Sequence, residues 1–322
     1  MNILRRIIRW LRGRGNAEAQ QTTSYSVQAE DASATTDANH TNYYHSGCSS
    51  ATDSPTTCVI QKPNNSRAEA IMRICRERGV EELVHFTSIR NLRTIVEYGL
   101  LSLDDLERME IKYDYNDENR LEGMRNAICL SVSFPNYKMF YKYRQFKGYT
   151  FVIISISKSI LWELSCIFCP TNAAQKYISM LLRDPQSMMI LSEPEAFEDM
   201  FSEKLCRIKT GGYVGIPQRL LEKGRIREYF LRERLLEESR IDEYLQRANL
   251  GIPPHYTTDP QAEVLCLESI PNKYIRKIYV ENEKAKFDLV SHYPDLPIAI
   301  EVKNEFFRPR VDYMHWRNPY GV

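Results

Sequence analysis

The chain has 322 residues, of which 43% are hydrophobic and 26% are charged, so it is long enough to bury a core in one large or two small domains. Its 43 Lys and Arg side chains almost balance its 42 Asp and Glu side chains and give a net charge of +1, which excludes a uniformly basic nucleic-acid binder but permits a local basic groove. No apolar run approaches the roughly 20 residues that a membrane-spanning helix needs.

The N-terminal part of the chain differs in composition from the rest. Residues 1–14 place aliphatic side chains on one helical face and arginines on the other, which predicts a basic amphipathic helix without a signal-peptide cleavage pattern. We expect it either to contact an anionic membrane surface or nucleic acid, or to be a solvated, frayed terminus. Residues 15–68 are rich in Ser, Thr, Asn, Asp and Ala and predict a disordered tether.

The folded domain is predicted over residues 69–322, where apolar patterns alternate between extended and helical. The expected strands are Glu82–Phe86, Ile128–Phe134, Phe151–Ser157, Ala262–Leu267, Lys277–Val280 and Ile298–Val302. The expected helices are Ala68–Gly79, Ile89–Gly99 and Asn172–Leu182. Residues 184–250 are strongly charged and predict a helical insertion. Few strands, separated by helices of uneven length, predict an α+β fold rather than a regular doubly wound sheet.

Metal and phosphate motifs give little signal in this sequence. Most of the eight cysteines lie in apolar runs, which favours free thiols in a reducing compartment, so we expect a cytoplasmic protein. Cys166 and Cys169 form a C-x-x-C without a second pair of ligands, and we interpret them as buried apolar residues rather than as a metal site. The absence of G-x-G-x-x-G and P-loop motifs disfavours standard dinucleotide-fold and P-loop chemistry.

The first candidate site residues stand where a strand meets a helix. His85 and Thr87 lie at the end of the strand and share one side of it, and Asn91 lies one turn into the next helix. A helix N-terminus offers backbone N–H groups to an anion such as a pyrophosphate. The alternative is a histidine whose hydrogen bonds are satisfied within the fold.

The second candidate is Arg120, at the edge of a polar loop before a strand that carries Ser131 and Ser133 on one face. A guanidinium is permanently charged and presents five donors, which suits a phosphate or a developing negative charge. The alternative is a solvated loop arginine, and Arg125 is a nearby competitor for the same role.

The third candidate is Glu263, at the start of an apolar strand. A carboxylate that begins a buried strand is poorly placed for a purely solvated role. It is suited to orienting a sugar hydroxyl or to supporting an oxocarbenium-like centre electrostatically. The alternative is an ion pair at the edge of the strand.

An aromatic and basic segment runs over residues 137–149. Its aromatic rings, including Tyr143, alternate with Lys138, Lys142 and Arg144. Aromatic faces stack on bases or nicotinamide, and the cations suit a nucleic-acid backbone. The alternative is a packed amphipathic helix whose lysine ammonium groups reach out to water.

Four blocks in fixed order resemble the DarT family of DNA ADP-ribosyltransferase toxins. They are ELVHFTSIRNLRTIVEYGLLS, NDENRLEGMRNAICLSVSFPNYKMFYKYR, FCPTNAAQ and DPQAEVLCLESIPNKYI, and the similarity covers roughly Glu82–Val280. The resemblance implies an ADP-ribosyltransferase-like fold with a split, mainly antiparallel sheet and surrounding helices. It implies transfer of ADP-ribose from NAD⁺ to a base of single-stranded DNA. NAD⁺ is then the donor, and no metal is expected to take part. It also implies a toxin of a toxin–antitoxin or phage-defence system, countered by a partner that is often a macrodomain protein.

The resemblance also implies roles for the candidate residues. Glu263, in its AEVL context, matches the catalytic glutamate, and Arg120 matches the catalytic arginine, although the sequence around it differs from the family's. His85 matches the NAD-binding histidine. Thr87, Asn91, Ser131 and Tyr143 are expected to line the NAD site, and Lys138, Lys142 and Arg144 to contact DNA.

Three other functions compete with this one. The segment PDLPIAIEVK, with Asp295, Glu301 and Lys303, imitates the PD-ExK arrangement of Mg²⁺-dependent nucleases at an unusually short spacing. The same transferase fold can act on RNA or protein, because acceptor recognition depends on loop surfaces. A catalytically inactive binding module is the remaining alternative.

Overall fold

The computed structural model describes residues 64–114, 123–146, 150–207, 215–217 and 244–316. The predicted N-terminal helix, most of the predicted tether and Arg120 lie outside these residues. The tether was predicted to reach residue 68, but helix α1 (Asn65–Arg78) already begins at Asn65. Its start is earlier because the Asn64 side chain caps it, accepting a hydrogen bond from the Arg67 N–H at 2.8 Å.

The strands form two sheets. They are β1 (Glu82–Ser88), β2 (Ile128–Val132), β3 (Phe151–Ser157), β4 (Cys166–Cys169), β5 (Lys204–Arg207), β6 (Gly215–Pro217), β7 (Tyr244–Gln246), β8 (Glu263–Cys266), β9 (Ile275–Val280) and β10 (Ala299–Val302). The main sheet has the order β10-β9-β3-β1-β2-β8-β4, and every pair in it is antiparallel except β10 with β9. The predicted α+β fold with a mainly antiparallel sheet is confirmed.

Short helices surround the main sheet. After α1 they are α2 (Leu92–Tyr98), α3 (Leu103–Arg108), α4 (Tyr137–Phe146), α5 (Ile160–Glu163), α6 (Lys176–Leu182), α7 (Pro185–Leu191), α8 (Pro194–Asp199) and α9 (Glu283–His292). Single 3₁₀ turns occur at Ile89–Asn91, Arg247–Leu250, Asn272–Tyr274, Asn304–Phe307 and Tyr313–Trp316. Within the described ranges, no helix has both the length and the apolar character needed to cross a membrane.

The core lies on both faces of the central strands. The first six residues of β3 are buried, as its near-continuous apolar sequence FVIISIS predicts. One face packs against α1, α5 and α8 through apolar side chains such as Ile71, Leu161 and Phe197. The other face carries an aromatic cluster in which Phe140 of α4 meets Phe151 of β3. Each such side chain stabilises the fold by about 1.5–3 kcal/mol on burial, so β3 is firmly fixed.

The charged region 184–250 is not simply helical where the structure describes it. It begins with the short helices α7 and α8, but residues 204–207, 215–217 and 244–246 form a second antiparallel sheet of order β6-β5-β7. Leu205 and Leu245 pair across this sheet and are buried. Strands of three or four residues are too short to show a period of two within a charge-rich sequence, which explains the incorrect helical prediction for these positions.

Gly99 fixes the segment that follows α2. Its φ of +89° is accessible mainly to glycine, and a Cβ at this position would lie 2.1 Å from the carbonyl oxygen of Ile270. Next to it, Leu100 forms an isolated antiparallel bridge with Ile270. This close approach holds the segment between α2 and α3 against the chain that leads into β9.

Candidate active site

A cleft lies beside β1, β2 and the start of β8. Five of the predicted site residues line it: His85, Thr87, Asn91, Ser131 and Glu263. Apolar side chains from the elements around α2 and α3 and from β2 line it as well, and these include Ile95, Leu100, Leu103, Leu106, Ile128 and Leu130. Residues separated by nearly 180 positions in the sequence therefore meet in one concave site, with both apolar and polar walls.

Glu263 is the first residue of β8 and is only 5% exposed. Its Oε1 accepts hydrogen bonds from the side-chain Nδ2 of Asn172 at 3.2 Å and of Asn136 at 3.5 Å. Its Oε2 accepts a hydrogen bond from the backbone N–H of Ala173 at 3.1 Å. A buried carboxylate is costly unless it is hydrogen-bonded, and these three donors meet that requirement. They also fix the direction in which both oxygen atoms point.

Asn136 connects this carboxylate to the neighbouring elements. Its backbone N–H donates to the Oγ of Ser131 at 3.1 Å, and its Oδ1 accepts from the Met139 N–H at 3.3 Å in the first turn of α4. Ser131 lies one position beyond the pair formed by Leu130 and Val264 of β8, so it stands next to Glu263 across the sheet. The Ser131 hydroxyl therefore supports Asn136, and its assignment to NAD binding stays a prediction.

His85 is oriented by a backbone carbonyl. Its Nδ1 lies 2.9 Å from the carbonyl oxygen of Cys129. Because a carbonyl oxygen only accepts, Nδ1 carries the proton of the neutral ring, and Nε2 is then its acceptor nitrogen. This contact fixes the orientation of the His85 ring, which lines the cleft.

Asn91 anchors the chain segment at Asp114. Its Nδ2 donates to Thr87 Oγ1 at 3.1 Å and to the Asp114 carbonyl at 2.9 Å, while its Oδ1 accepts from the Asp114 N–H at 2.8 Å. Ser88 Oγ also donates to the Asp114 carboxylate, at 2.8 Å. Both the NH₂ group and the oxygen atom of the Asn91 amide are therefore hydrogen-bonded within the protein. Asp114 directly precedes the residues that include Arg120, so we infer an anchoring role for Asn91.

Arg125, the competitor of Arg120, is engaged at the surface. It pairs with Asp104 at 3.1 Å and also with Glu107, and all three side chains are about half exposed. This arrangement attaches residues 123–127 to α3. The proposed role of Arg120 itself stays a prediction, because that residue is outside the described ranges.

The basic residues of α4 differ in their surroundings. Lys142 is exposed, whereas burial lowers the pKa of the Lys138 ammonium, an effect that nearby Asp259 opposes. Arg144 bonds to Glu281 Oε2 at 2.5 Å and to the carbonyl oxygen of Phe307 at 2.9 Å. Its guanidinium is thereby held against the protein, which favours a structural role, and its assignment to DNA binding stays a prediction.

Tyr143 does not reach the cleft directly in this arrangement. Its ring centroid lies 6.2 Å from that of Phe86, which lines the cleft, and Phe86 also stacks on Phe140 at 4.9 Å. Tyr143 thus stands behind a cleft residue. Its assignment to NAD binding stays a prediction, and the ring contacts favour a packing role.

A buried polar cluster holds the segment that leads into β8. Arg310 and Asp312 form a two-bond ion pair at 2.7 and 2.6 Å, and Arg310 also donates to the carbonyl oxygens of Thr257 and Thr258 at 2.8 and 3.0 Å. Arg247 donates to the Oγ1 of Thr258 at 2.8 Å. Together these contacts fix the residues just before Glu263.

Asp259 lies in the same segment and is fully buried. Burial raises the pKa of its carboxyl to about 6, against the opposing effects of the Gln261 backbone N–H, Thr171, Lys138 and Arg310. Its Oδ1 accepts from the Gln261 N–H at 2.7 Å. The Asp259 carboxyl therefore changes its charge at mildly acidic pH. It lies four residues before Glu263 in the sequence.

The residues of the PD-ExK-like segment are engaged apart from one another. Glu301 pairs with Lys277 of β9 at 2.8 Å, and Lys303 pairs with Glu82 of β1 at 3.0 Å. Within the part of the chain that the structure describes, no group of three or more His, Cys, Asp or Glu side chains could hold a metal ion. The geometry therefore gives no support to the nuclease alternative.

Sequence reasoning missed Asn136 and Asn172 as site residues. Asn172 lies within the block FCPTNAAQ, and Asn136 precedes the aromatic and basic segment. Both are neutral amides in loops, so neither periodicity nor charge marks them. The only available signal was the position of Asn172, three residues after a buried strand.

Residues 84–188 match the model of the family described as ssDNA thymidine ADP-ribosyltransferase, DarT. The match contains His85, Thr87, Asn91, Ser131 and Asn172, and it ends before Glu263. It confirms the predicted resemblance and the prediction of an ADP-ribosyltransferase. No curated protein sequence shows significant similarity to the chain.

Solved structures of the same name are also similar to this chain. Thermosipho africanus DarTG in complex with ADP-ribose is 16% identical, with 70% of this chain and 51% of that chain covered and a TM-score of 0.39. Thermus sp. 2.9 DarT in complex with NAD⁺ is 13% identical, with 71% and 98% covered and a TM-score of 0.38. The same Thermus protein in complex with ADP-ribosylated ssDNA is 12% identical, with 71% and 97% covered and a TM-score of 0.39. The chain thus spans about half the length of the DarTG chain that it matches.

Proposed function

We propose, from the match of residues 84–188 to the DarT family, that this chain is a DarT-like ADP-ribosyltransferase and that it transfers ADP-ribose from NAD⁺ to a base of single-stranded DNA. The family description names thymidine, and we propose that base as the acceptor. The observation that carries the proposal is the burial of the Glu263 carboxylate, fixed by three N–H donors, beside His85 and Thr87 in one cleft.

The chemistry of the cleft fits a dinucleotide donor. Aliphatic side chains such as Ile95, Leu100 and Leu130 suit the faces of flat rings, while His85 and Thr87 offer polar atoms for sugar and phosphate groups. In the proposal, His85 Nε2 accepts a hydrogen bond from a sugar hydroxyl. NAD⁺ supplies the ADP-ribose group and carries nicotinamide as the leaving group.

Glu263 acts electrostatically in the proposed transfer. The bond between the sugar carbon and nicotinamide breaks with its electron pair on nicotinamide. The base nitrogen supplies the electron pair of the new bond and releases its proton to water. Positive charge develops on the sugar as the first bond breaks, and the carboxylate of Glu263 stabilises it. A fixed charge of this kind in a water-poor site contributes about 10²–10³ in rate. Arg120 is proposed to stabilise the base as it loses its proton.

The acceptor strand is proposed to lie along α4, because this helix begins next to Asn136 and therefore next to Glu263. Lys142 is exposed on it and offers an ammonium group to a phosphate, and Lys138 is proposed to assist. Binding that depends on such contacts weakens as salt rises.

We extend the proposal to a toxin of the toxin–antitoxin kind that acts in the cytoplasm. The six free cysteines of the described ranges suit a reducing compartment. The name DarTG of one similar structure supports a partner protein, and a macrodomain that removes ADP-ribose is the chemistry expected of it. Induced expression of the wild-type chain should arrest growth of a bacterial host, and Glu263→Gln should not. Residues 1–14 are proposed to contact an anionic membrane surface or nucleic acid.

The central test is mass spectrometry of a single-stranded oligonucleotide after incubation with NAD⁺. We expect the oligonucleotide to gain one ADP-ribose group with the wild-type chain and Glu263→Gln to lose this activity by about 10²-fold or more. Glu301→Gln is the matched control, since it changes the same residue type in an exposed ion pair and should retain full activity. Parallel incubations with RNA and protein test the other acceptors. Labelling confined to RNA or protein would contradict the DNA assignment.

A further inference from the structure

Three of the donors that orient the Glu263 carboxylate belong to neutral groups. Asn172 and Asn136 both donate to Oε1, and the Ala173 backbone N–H donates to Oε2. A glutamate side chain ends in a freely rotating carboxylate, so an unrestrained one would point in many directions. Here both oxygen atoms have fixed partners, and Glu263 is only 5% exposed.

The orientation of each amide is itself determined by the backbone. Asn172 Oδ1 accepts from the Ala174 N–H at 2.8 Å, and Asn136 Oδ1 accepts from the Met139 N–H at 3.3 Å. A backbone N–H can only donate, so in each case the oxygen faces that N–H and the NH₂ group faces Glu263. The two amides are therefore locked in the orientation in which they donate to the carboxylate.

The strand pairing explains how Asn172 reaches this position. Cys169, the last residue of β4, pairs with Glu263, the first residue of β8. The chain that leaves β4 therefore passes directly over the start of β8 and brings Asn172 and Ala173 onto the carboxylate. Asn136 approaches from the end of β2, on the other side of β8.

We propose that Asn136 and Asn172 are positioning residues for the transfer reaction, which hold the Glu263 carboxylate towards the sugar while leaving its charge in place. The inference rests on the proposed function. A lysine or arginine partner would cancel much of the negative potential that the reaction uses, whereas a neutral amide orients the carboxylate and leaves it negative. Neutral donors thus suit a carboxylate whose task is to face a developing positive charge.

The test compares steady-state kinetics of Asn172→Ala with those of the wild-type chain and of Asn126→Ala. Asn126 is the matched control, because it is exposed and its Nδ2 donates to the Leu267 carbonyl oxygen, at 3.4 Å and away from Glu263. We expect Asn172→Ala to lower kcat about 10- to 100-fold, as the loss of a hydrogen bond to a charged group implies, with the KM for NAD⁺ changed about twofold or less. Asn126→Ala should retain wild-type kinetics.

A double-mutant cycle separates positioning from a general structural effect. If Asn172 acts through Glu263, Asn172→Ala should cause no further loss of kcat in the Glu263→Gln background. Asn136→Ser is the second variant, since serine still caps α4 but lacks the amide that reaches the carboxylate. It should show the same pattern, and it decides the question by the same criteria if Asn172→Ala does not fold.

The outcomes distinguish this inference from the proposed function. Unchanged kcat in Asn172→Ala together with an inactive Glu263→Gln would overturn only the positioning role. A loss of kcat that persists undiminished in the Glu263→Gln background would overturn it as well, because the amide would then act independently of Glu263. Full transfer activity in Glu263→Gln would refute the proposed function instead.

Discussion

The ion pair between Arg310 and Asp312 is among the most completely buried charged contacts of the described residues. The two side chains are 1% and 0% exposed, and both carboxylate oxygens bond to the guanidinium, at 2.7 and 2.6 Å. Asp312 Oδ2 also accepts from Trp316 Nε1 at 2.7 Å. The guanidinium in turn donates to two carbonyl oxygens just upstream of β8.

We predict that Asp312→Asn lowers the free energy of unfolding by about 3–5 kcal/mol. Asparagine keeps the volume of the side chain but removes the negative charge, so the Arg310 guanidinium is left charged and buried without the carboxylate that bonds to it directly. It also replaces one acceptor oxygen by an NH₂ group, which cannot accept from the guanidinium or from Trp316. The loss is therefore that of a broken buried pair, not of an isolated hydrogen bond.

Urea unfolding followed by tryptophan fluorescence measures this change. Glu301→Gln is the control, since it makes the equivalent change in the pair with Lys277, whose side chains are 42% and 47% exposed, and it should cost less than about 1 kcal/mol. A cost for Asp312→Asn as small as that of the control would refute the reasoning. It would mean that water or a rearranged chain solvates Arg310 in the variant.

Three further predictions concern Gly99, the basic residues of α4 and the buried carboxyl of Asp259. In urea unfolding, Gly99→Ala should lower the free energy of unfolding far more than Gly79→Ala, because both glycines have positive φ but of the two only Gly99 would place a Cβ within 3 Å of other atoms. Equal losses of free energy in the two variants would contradict this. Lys142→Ala should weaken binding of a fluorescent single-stranded oligonucleotide and reduce the slope of log K against log salt concentration by about 0.7. Arg144→Met should lower stability without changing that slope, and the reverse pattern would support Arg144 as a DNA contact. Burial raises the pKa of Asp259 to about 6 in the folded chain, so between about pH 4 and pH 6 the folded state retains a proton that the unfolded state has released. The wild type should therefore lose stability relative to Asp259→Asn as pH rises over this range, and parallel unfolding profiles would contradict this.

The strands were predictable where burial leaves a periodic or continuous apolar pattern. The run FVIISIS becomes β3 within the limits predicted for it, and the strand that contains His85 extends only two residues further than predicted. Glu263 was also predictable, because a carboxylate at the head of an apolar strand contrasts with its surroundings. These signals are local, and a single sequence contains them.

The second sheet and the buried polar cluster were not predictable, because they depend on residues that lie far apart in the sequence. Arg310 and Arg247 are separated by more than sixty positions, and each looks like an ordinary surface cation in the sequence. Only the fold shows that both donate to the segment between Pro253 and Thr258. Strands of three or four residues within a charged region likewise depend on partners that lie far away in the chain.

The candidate site shows the same division between local and distant information, and the division explains which residues were missed. A residue that carries charge or titrates, such as His85 or Glu263, stands out from its neighbours wherever it occurs. A residue that only orients another, such as Asn136 or Asn172, is defined by a partner that lies 127 or 91 positions away. The strand order β2-β8-β4 creates both contacts, because it places the ends of β2 and β4 on either side of the start of β8. The positioning amides could therefore be found only after the sheet order was known, although the carboxylate that they hold could be found without it.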